Sequence, residues 1–166
     1  MKRFAMLFAV LALTIGAAFG QVSVNGSYQF SRVYVDGAVQ NTDPGYNLSL
    51  NIPVFKSSFG LLTEMTATTS TVGGTEIFLK TYGEGIQFQP RQGKFFRPYV
   101  NAVLGDAHFV YGPTTQNKLA VTTGAGADFA LSKHWALRGG VEYLHTGVDG
   151  TNFEGIRPIG GLTFRF

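Results

Sequence analysis

Three histidines and ten carboxylates are the acid–base equipment of this chain, and two short spacings bring such groups together. Asp106 and His108 stand two apart, so on an extended strand they share a face, as a general base and the acid that orients it would. No serine lies near them in sequence, only Thr114 and Thr115. Ser132 and His134 repeat the spacing with a nucleophile and a base. They fall in Leu131-Ser132-Lys133-His134, which reads as a tight turn, and a turn role is the simpler assignment. His145, beside Tyr143, suits an amphipathic ring at an interface. Scattered histidines without clustered carboxylates do not make a metal site, and the absence of cysteine excludes a thiolate nucleophile and a disulfide framework. The glycines, Gly83, Gly85, Gly124 and Gly126 among them, have neither Walker nor Rossmann spacing and read as strand curvature. No catalytic residue, metal or cofactor is therefore assigned. The remaining chemistry lies in charges at alternating positions: Glu64, Glu84, Asp128 and Glu142 against Lys80, Arg138, Arg157 and Arg165.

What must position them follows from composition. The chain has 166 residues, only 14% of them charged, with 22 Gly, 15 Phe, 7 Tyr and 1 Trp. Soluble domains carry about 25% charge and about 7% Gly, so this is not an ordinary water-soluble globule. Met1-Lys2-Arg3 followed by an apolar stretch to Gly20, with Ala18 and Gly20 before Gln21, has the form of a secretory signal peptide over residues 1–20. Its removal leaves a barrel domain over 21–166 with 11 basic and 10 acidic residues. That balance removes the basic stripe a nucleic-acid partner would require. No later segment reaches 18 consecutive apolar residues, so a membrane form must be a barrel.

Period-two alternation recurs in eight segments, approximately 22–35, 45–54, 58–69, 76–89, 97–110, 119–131, 135–146 and 155–166. Each can cross a hydrocarbon core as a tilted strand. The fold class is all-β, an eight-stranded antiparallel up-and-down transmembrane β-barrel. Aromatics gather at the strand ends: Phe55, Phe59, Phe88, Phe95, Phe96, Tyr99, Trp135, Phe164 and Phe166 at one, and Tyr34, Tyr46, Phe78, Phe109, Tyr111, Tyr143 and Phe153 at the other. Two such rows match interfacial girdles, with apolar residues facing lipid and polar residues facing the lumen. That facing sends the eight charges above inward, with Asn25, Gln29, Asn47, Asn51 and Asn101. Charges withdrawn from water must be paired, so a balanced ionic plug is the simplest interior and a narrow polar path the alternative.

Connections at 55–57 and 132–134 are short, whereas 36–44, 70–75, 111–118 and 147–154 read as longer loops. By the usual rule the long loops are extracellular and both termini periplasmic. The short-turn end holds Lys56, Arg91, Lys94, Arg97 and Lys133 without an acid.

Phe96-Arg97-Pro98-Tyr99-Val100-Asn101-Ala102-Val103-Leu104-Gly105, Gly124-Ala125-Gly126-Ala127-Asp128-Phe129 and Ala136-Leu137-Arg138 resemble the fifth, sixth and seventh strands of a known family. It comprises the small eight-stranded outer-membrane barrels grouped with the OmpA membrane domain and the porin-like opacity proteins. The end, Gly161-Leu162-Thr163-Phe164-Arg165-Phe166, resembles the C-terminal signal read by the barrel-assembly machinery, carried by Gly161, Phe164 and Phe166; Ile159 departs from its usual polar residue. The resemblance covers 21–166 and implies a bacterial outer-membrane location, with outer-membrane lipids and the assembly machinery as partners and a possible extracellular ligand at the loops. It implies a structural and surface-interaction role, and the strand facing supplies the lumen network of Glu64, Asp128, Arg138, Glu142, Arg157 and Arg165. A narrow porin-like channel is the second reading. Lipid A modification resting on Asp106 and His108 is the third, since some eight-stranded barrels are lipid A enzymes.

Overall fold

Alternation of small or polar residues with bulky apolar ones gives most walls of this protein two unlike faces, and closure of the sheet separates them. A computed structural model describes residues 22–166 except 36–37, 55–56, 73–74, 91–93, 112–113 and 149–150. Its elements are β1 (Ser23–Gln29), β2 (Arg32–Val35), β3 (Ala38–Asn41), β4 (Gly45–Pro53), β5 (Phe59–Val72), β6 (Thr75–Phe88), β7 (Phe96–Tyr111), β8 (Thr114–Ala130), β9 (Trp135–Val148) and β10 (Thr151–Arg165). All pairings are antiparallel, in the order β1-β4-β5-β6-β7-β8-β9-β10-β2-β3, and β1 also pairs with β10 to close the barrel.

The ten segments form eight walls. β1 and β2 share one register against β10, Gln29 facing Ile159 and Arg32 facing Ile156. β3 and β4 also run in line. Gln29 faces Gly45 while Arg32 faces Asn41, so the β3–β4 side carries one extra residue, a bulge at Thr42–Pro44. Thr42 fixes it: its amide bonds the Ser31 carbonyl, and its hydroxyl accepts from the Ser31 amide. The first wall follows the expected 22–35 segment, and β3 is an extension the alternation does not mark.

The expected loops at 70–75, 111–118 and 147–154 are corrected by the structure. β5 runs to Val72 and β6 starts at Thr75; β7 runs to Tyr111 and β8 starts at Thr114; β9 runs to Val148 and β10 starts at Thr151. These segments are paired strand with two residues between. β7 and β8 have 16 and 17 residues. At about 3.3 Å per residue and a tilt of about 40°, such strands rise about 40 Å, against an apolar band of about 25 Å. Hairpins therefore stand about 15 Å beyond the band at the end opposite the chain termini. Outside the bilayer both strand faces can be polar, which is why Thr- and Gly-rich sequence there reads as loop.

Outward residues form the two rings. Phe59, Phe88, Phe95, Phe96, Phe129, Trp135 and Phe166 are exposed at the short-turn end, with ring contacts between Phe59 and Phe88 and between Trp135 and Phe164. Tyr28, Tyr46, Tyr82 and Tyr143, 71%, 53%, 56% and 40% exposed, form the upper row. Leu48, Leu61, Ile86, Leu104, Leu137, Val141 and Leu162 fill the belt between. Two expected girdle members turn inward instead. Tyr99 is buried on the same strand face as Asn101, and Phe109 is buried against Ala107, Ala120, Leu144 and Leu79. The side chains of Tyr34, Phe55, Tyr111 and Phe153, and all of residues 1–20, Lys56 and Arg91, lie outside the described residues.

Gly161 shows how closure constrains sequence. A Cβ there would strike the Gly26 carbonyl oxygen and Ser27 across the β1–β10 seam. The last wall can approach the first only because that position has no side chain.

Candidate functional site: the ionic lumen

The inward face of β5 places Glu64, β8 places Asp128, β9 places Arg138 and Glu142, and β10 places Arg157 and Arg165. All six side chains are at most 4% exposed. They form two clusters.

The first is centred on Arg157. Its Nη2 lies 3.1 Å from Glu142 Oε2 and 3.7 Å from Glu64 Oε1. The same guanidinium donates to the Thr66 hydroxyl at 3.2 Å through Nη1 and to the Thr122 hydroxyl at 3.1 Å through Nη2. Thr66 is also 2.6 Å from the Thr81 hydroxyl. Glu142 accepts from Asn47 Nδ2 at 3.3 Å. One cation thus ties β10 to β5, β8 and β9, and Glu142 extends the tie to β4.

The second is centred on Asp128. Arg138 Nε donates to its Oδ1 at 2.7 Å and Arg138 Nη2 to its Oδ2 at 3.2 Å, a two-point contact that fixes both planes. Arg165 Nη2 and Gln89 Nε2 add bonds to Oδ2 at 3.0 and 2.9 Å. The Arg138 guanidinium lies 4.2 Å from the Tyr99 ring centroid, within cation–π range. Tyr99 lies over Gly126 and Gly140, which face each other across β8 and β9; a Cβ on either would strike its hydroxyl. Glycines expected as curvature elements therefore also make room for the ring that backs the ion pair.

Two members of the expected lumen set are not there. Lys80 and Glu84 share the outward face of β6 with Tyr82 and Ile86, while Thr81, Gly83, Gly85 and Gln87 point in. The four-against-four balance becomes three carboxylates, Glu64, Asp128 and Glu142, with Arg138, Arg157 and Arg165, joined near the short-turn mouth by Arg97, opposite Asp128 in the β7–β8 register. Asn25, Gln29, Asn47, Asn51 and Asn101 all face inward as expected. Sequence reasoning missed Tyr99, although its parity with Asn101 was the available signal. It also missed Gln89 and the apolar cluster of Ala107, Phe109, Ala120 and Leu144, which occupies the interior toward the hairpin end.

The catalytic candidates lie elsewhere. Asp106 and His108 do share a face, but it is the outer face of β7, flanked by Tyr82 and Leu119 and by Lys80 and Asn117. His108 Nδ1 is 2.5 Å from Asn117 Oδ1. None of β6, β7 and β8 contains a serine. The Ser132 hydroxyl accepts from the backbone amides of His134 and Trp135, and His134 Nδ1 is 2.9 Å from the Arg165 carbonyl oxygen, so this pair serves the turn. His145 sits on the outer wall 3.7 Å from Glu154, both half-exposed. Among the described residues no group of three or more metal-ligating side chains converges.

The sequence profile of the outer membrane protein beta-barrel domain matches residues 4–166. Among solved structures, Neisserial surface protein A superposes with a TM-score of 0.77 at 14% identity, covering 89% of this chain and 99% of that one. The attachment invasion locus protein Ail of Yersinia pestis gives 0.61 at 20% identity, covering 89% and 99%. OprG of Pseudomonas aeruginosa gives 0.62 at 15% identity, covering 89% and 96%. Comparison with curated proteins returned no match.

Proposed function

The chain belongs to the outer membrane protein beta-barrel domain family, and from that premise we propose that it is a sealed structural anchor whose projecting hairpins meet partners outside the cell. In this reading the termini and short turns are periplasmic, residues 1–20 direct export, and Gly161, Phe164 and Phe166 present the assembly machinery with its signal. The outward belt contacts outer-membrane lipids.

The observation that carries the reading is the lumen. Six charged side chains, each at most 4% exposed, are locked across it by contacts joining β4, β5, β8, β9 and β10, with Gln89 added from beyond β6. An eight-stranded interior is just wide enough for side chains to fill, and here they fill it with mutually paired groups. Surface contact is supported by the hairpin extensions and by likeness to Ail, whose name is attachment invasion locus protein and which has been solved with a heparin analogue, sucrose octasulfate.

The narrow-channel reading has one observation in its favour. The buried amides of Gln29 and Gln87, the Asn101 Oδ1 and the Tyr99 hydroxyl have no protein hydrogen-bond partner, as groups along a hydrated polar path would. Conductance of the folded barrel separates the readings: the anchor is silent, and a channel shows openings that change with Arg138→Ala or Glu142→Ala.

A further inference from the structure

The outer rim at the short-turn end is uneven around the barrel. On the β7–β10 side the described residues form two ring clusters. The Phe129 ring centre lies 6.1 Å from that of Phe95 and 5.4 Å from that of Phe96. The Phe164 ring centre lies 4.9 Å from that of Trp135 and 5.0 Å from that of Phe166. Leu137, exposed and opposite both Phe129 and Leu162, stands between the clusters and makes them one apolar floor. The β5–β6 side contributes the single pair of Phe59 and Phe88 among the described residues.

Lysines stand at the margin of that floor. The Ala130 amide donates to the Phe95 carbonyl, so the β7–β8 register brings Lys94 opposite Leu131, where the β8–β9 turn begins. Lys133 and His134 lie in that turn, which the Ser132 hydroxyl holds by accepting from the His134 and Trp135 amides. His134 stacks on Phe164 with ring centres 6.0 Å apart. Lys94 and Lys133 are exposed, and neither makes an ion pair among the described residues. Beside them Phe95 and Leu131 are also exposed, so the rim carries large apolar side chains next to its cations. No described carboxylate side chain opposes the lysines on the outer wall here. Asp128 is turned inward and held by Arg138 and Arg165. Glu84 and Asp106 stand farther along β6 and β7, and Asp43, Glu76 and Glu154 belong to the hairpin end.

We propose that this sector of the rim binds an anionic phospholipid, with the headgroup phosphate at Lys94 and Lys133 and the acyl chains over the floor of Phe129, Leu137 and Phe164. A lysine lays its aliphatic stem along apolar surface and keeps its ammonium at headgroup level, where interfacial aromatic rings also rest. Two cations facing no carboxylate favour a headgroup of net negative charge. A zwitterionic headgroup brings its own ammonium to the same place and loses that advantage. The inference rests on the membrane placement of the outward belt proposed above, and adds to it a lipid class and a side of the barrel. It does not depend on whether the lumen conducts.

Trp135, the single tryptophan, reports from inside the patch. The test refolds the barrel into vesicles of mixed phosphatidylglycerol and phosphatidylcholine, with one lipid at a time carrying brominated chains, and reads the quenching of Trp135. Phosphatidylglycerol should occupy the neighbouring positions beyond its share of the bilayer, with a binding constant relative to phosphatidylcholine of at least about three. That preference should fall to about one in Lys94→Gln/Lys133→Gln and should persist in Lys80→Gln, nearer the hairpin end. High salt should also erase it in the wild-type protein, an arm that needs no substitution and decides the matter should the double variant fail to fold. Equal quenching by the two lipids, or a preference that survives the double variant or high salt, overturns the site and leaves the membrane placement intact. Quenching by neither brominated lipid removes the placement itself, and the site with it.

Discussion

Replacing Arg157 by Leu probes the sealed lumen at its most connected point. The guanidinium is 2% exposed and touches Glu142, Glu64, Thr66 and Thr122. Its removal leaves two carboxylates, 2% and 3% exposed, with no cation, and leaves the Thr122 hydroxyl without this donor. Breaking a buried pair by removing one partner costs about 3–5 kcal/mol, or about two to four orders of magnitude in the folding equilibrium. If the lumen instead held bulk-like water, the carboxylates would be hydrated and the cost would fall to the 0–1 kcal/mol range, roughly, of exposed pairs. Urea unfolding in lipid vesicles measures the difference, followed by fluorescence of Trp135, the single tryptophan, which stands on the lipid-facing girdle. The midpoint should fall with an unchanged slope. Adding Glu64→Gln and Glu142→Gln to Arg157→Leu should restore at least half the loss, because neutral amides do not require the cation and the amide oxygen introduced by Glu142→Gln can still accept from Asn47. A loss below about 1 kcal/mol for Arg157→Leu alone, or no recovery in the triple variant, refutes the reasoning.

Gly161→Ala should impair closure, because its Cβ meets the Gly26 carbonyl across the seam; the fraction of heat-modifiable barrel after refolding should drop well below wild type, and full recovery would refute the steric account. Deleting Phe166 should reduce outer-membrane levels in cells while leaving refolding from urea into detergent intact, separating a signal from a packing role; normal levels in cells would reject the signal. Glu84→Leu, which removes an exposed carboxylate from the lipid-facing belt, should stabilise the barrel in bilayers by up to about 2 kcal/mol, and destabilisation would mean that the wall at Glu84 is not lipid-facing.

The barrel and six of its lumen charges were legible because most walls alternate strongly. In β9, Leu137 and Val141 oppose Arg138 and Glu142; in β10, Leu162 and Phe164 oppose Thr163 and Arg165. β6 defeats that logic. Its inward face, Thr81-x-Gly83-x-Gly85-x-Gln87, is no more polar than Lys80-x-Tyr82-x-Glu84 on the outside, so parity had to come from pairing with β5 and β7. Tyr99 and Phe109 read as girdle residues in the sequence because they stand near strand ends. Pairing places them inward, where Gly126 and Gly140 admit one and Ala107 and Ala120 the other. Stretches such as Thr68–Thr71 and Thr114–Asn117 at the hairpin end have no apolar alternation, so their strand character was silent in the sequence. A cavity at the short-turn end is lined by residues from distant elements, Ser23, Asn51, Arg97 and Arg165, which only closure of the β1–β10 seam gathers.

Single-channel recording from the refolded barrel in a planar bilayer tests the sealed lumen most directly, with gel migration confirming that the recorded species is folded. The account predicts silence across applied voltages. Stable openings whose conductance shifts in Arg138→Ala or Glu142→Ala would contradict it and make the ionic lumen a conduction path.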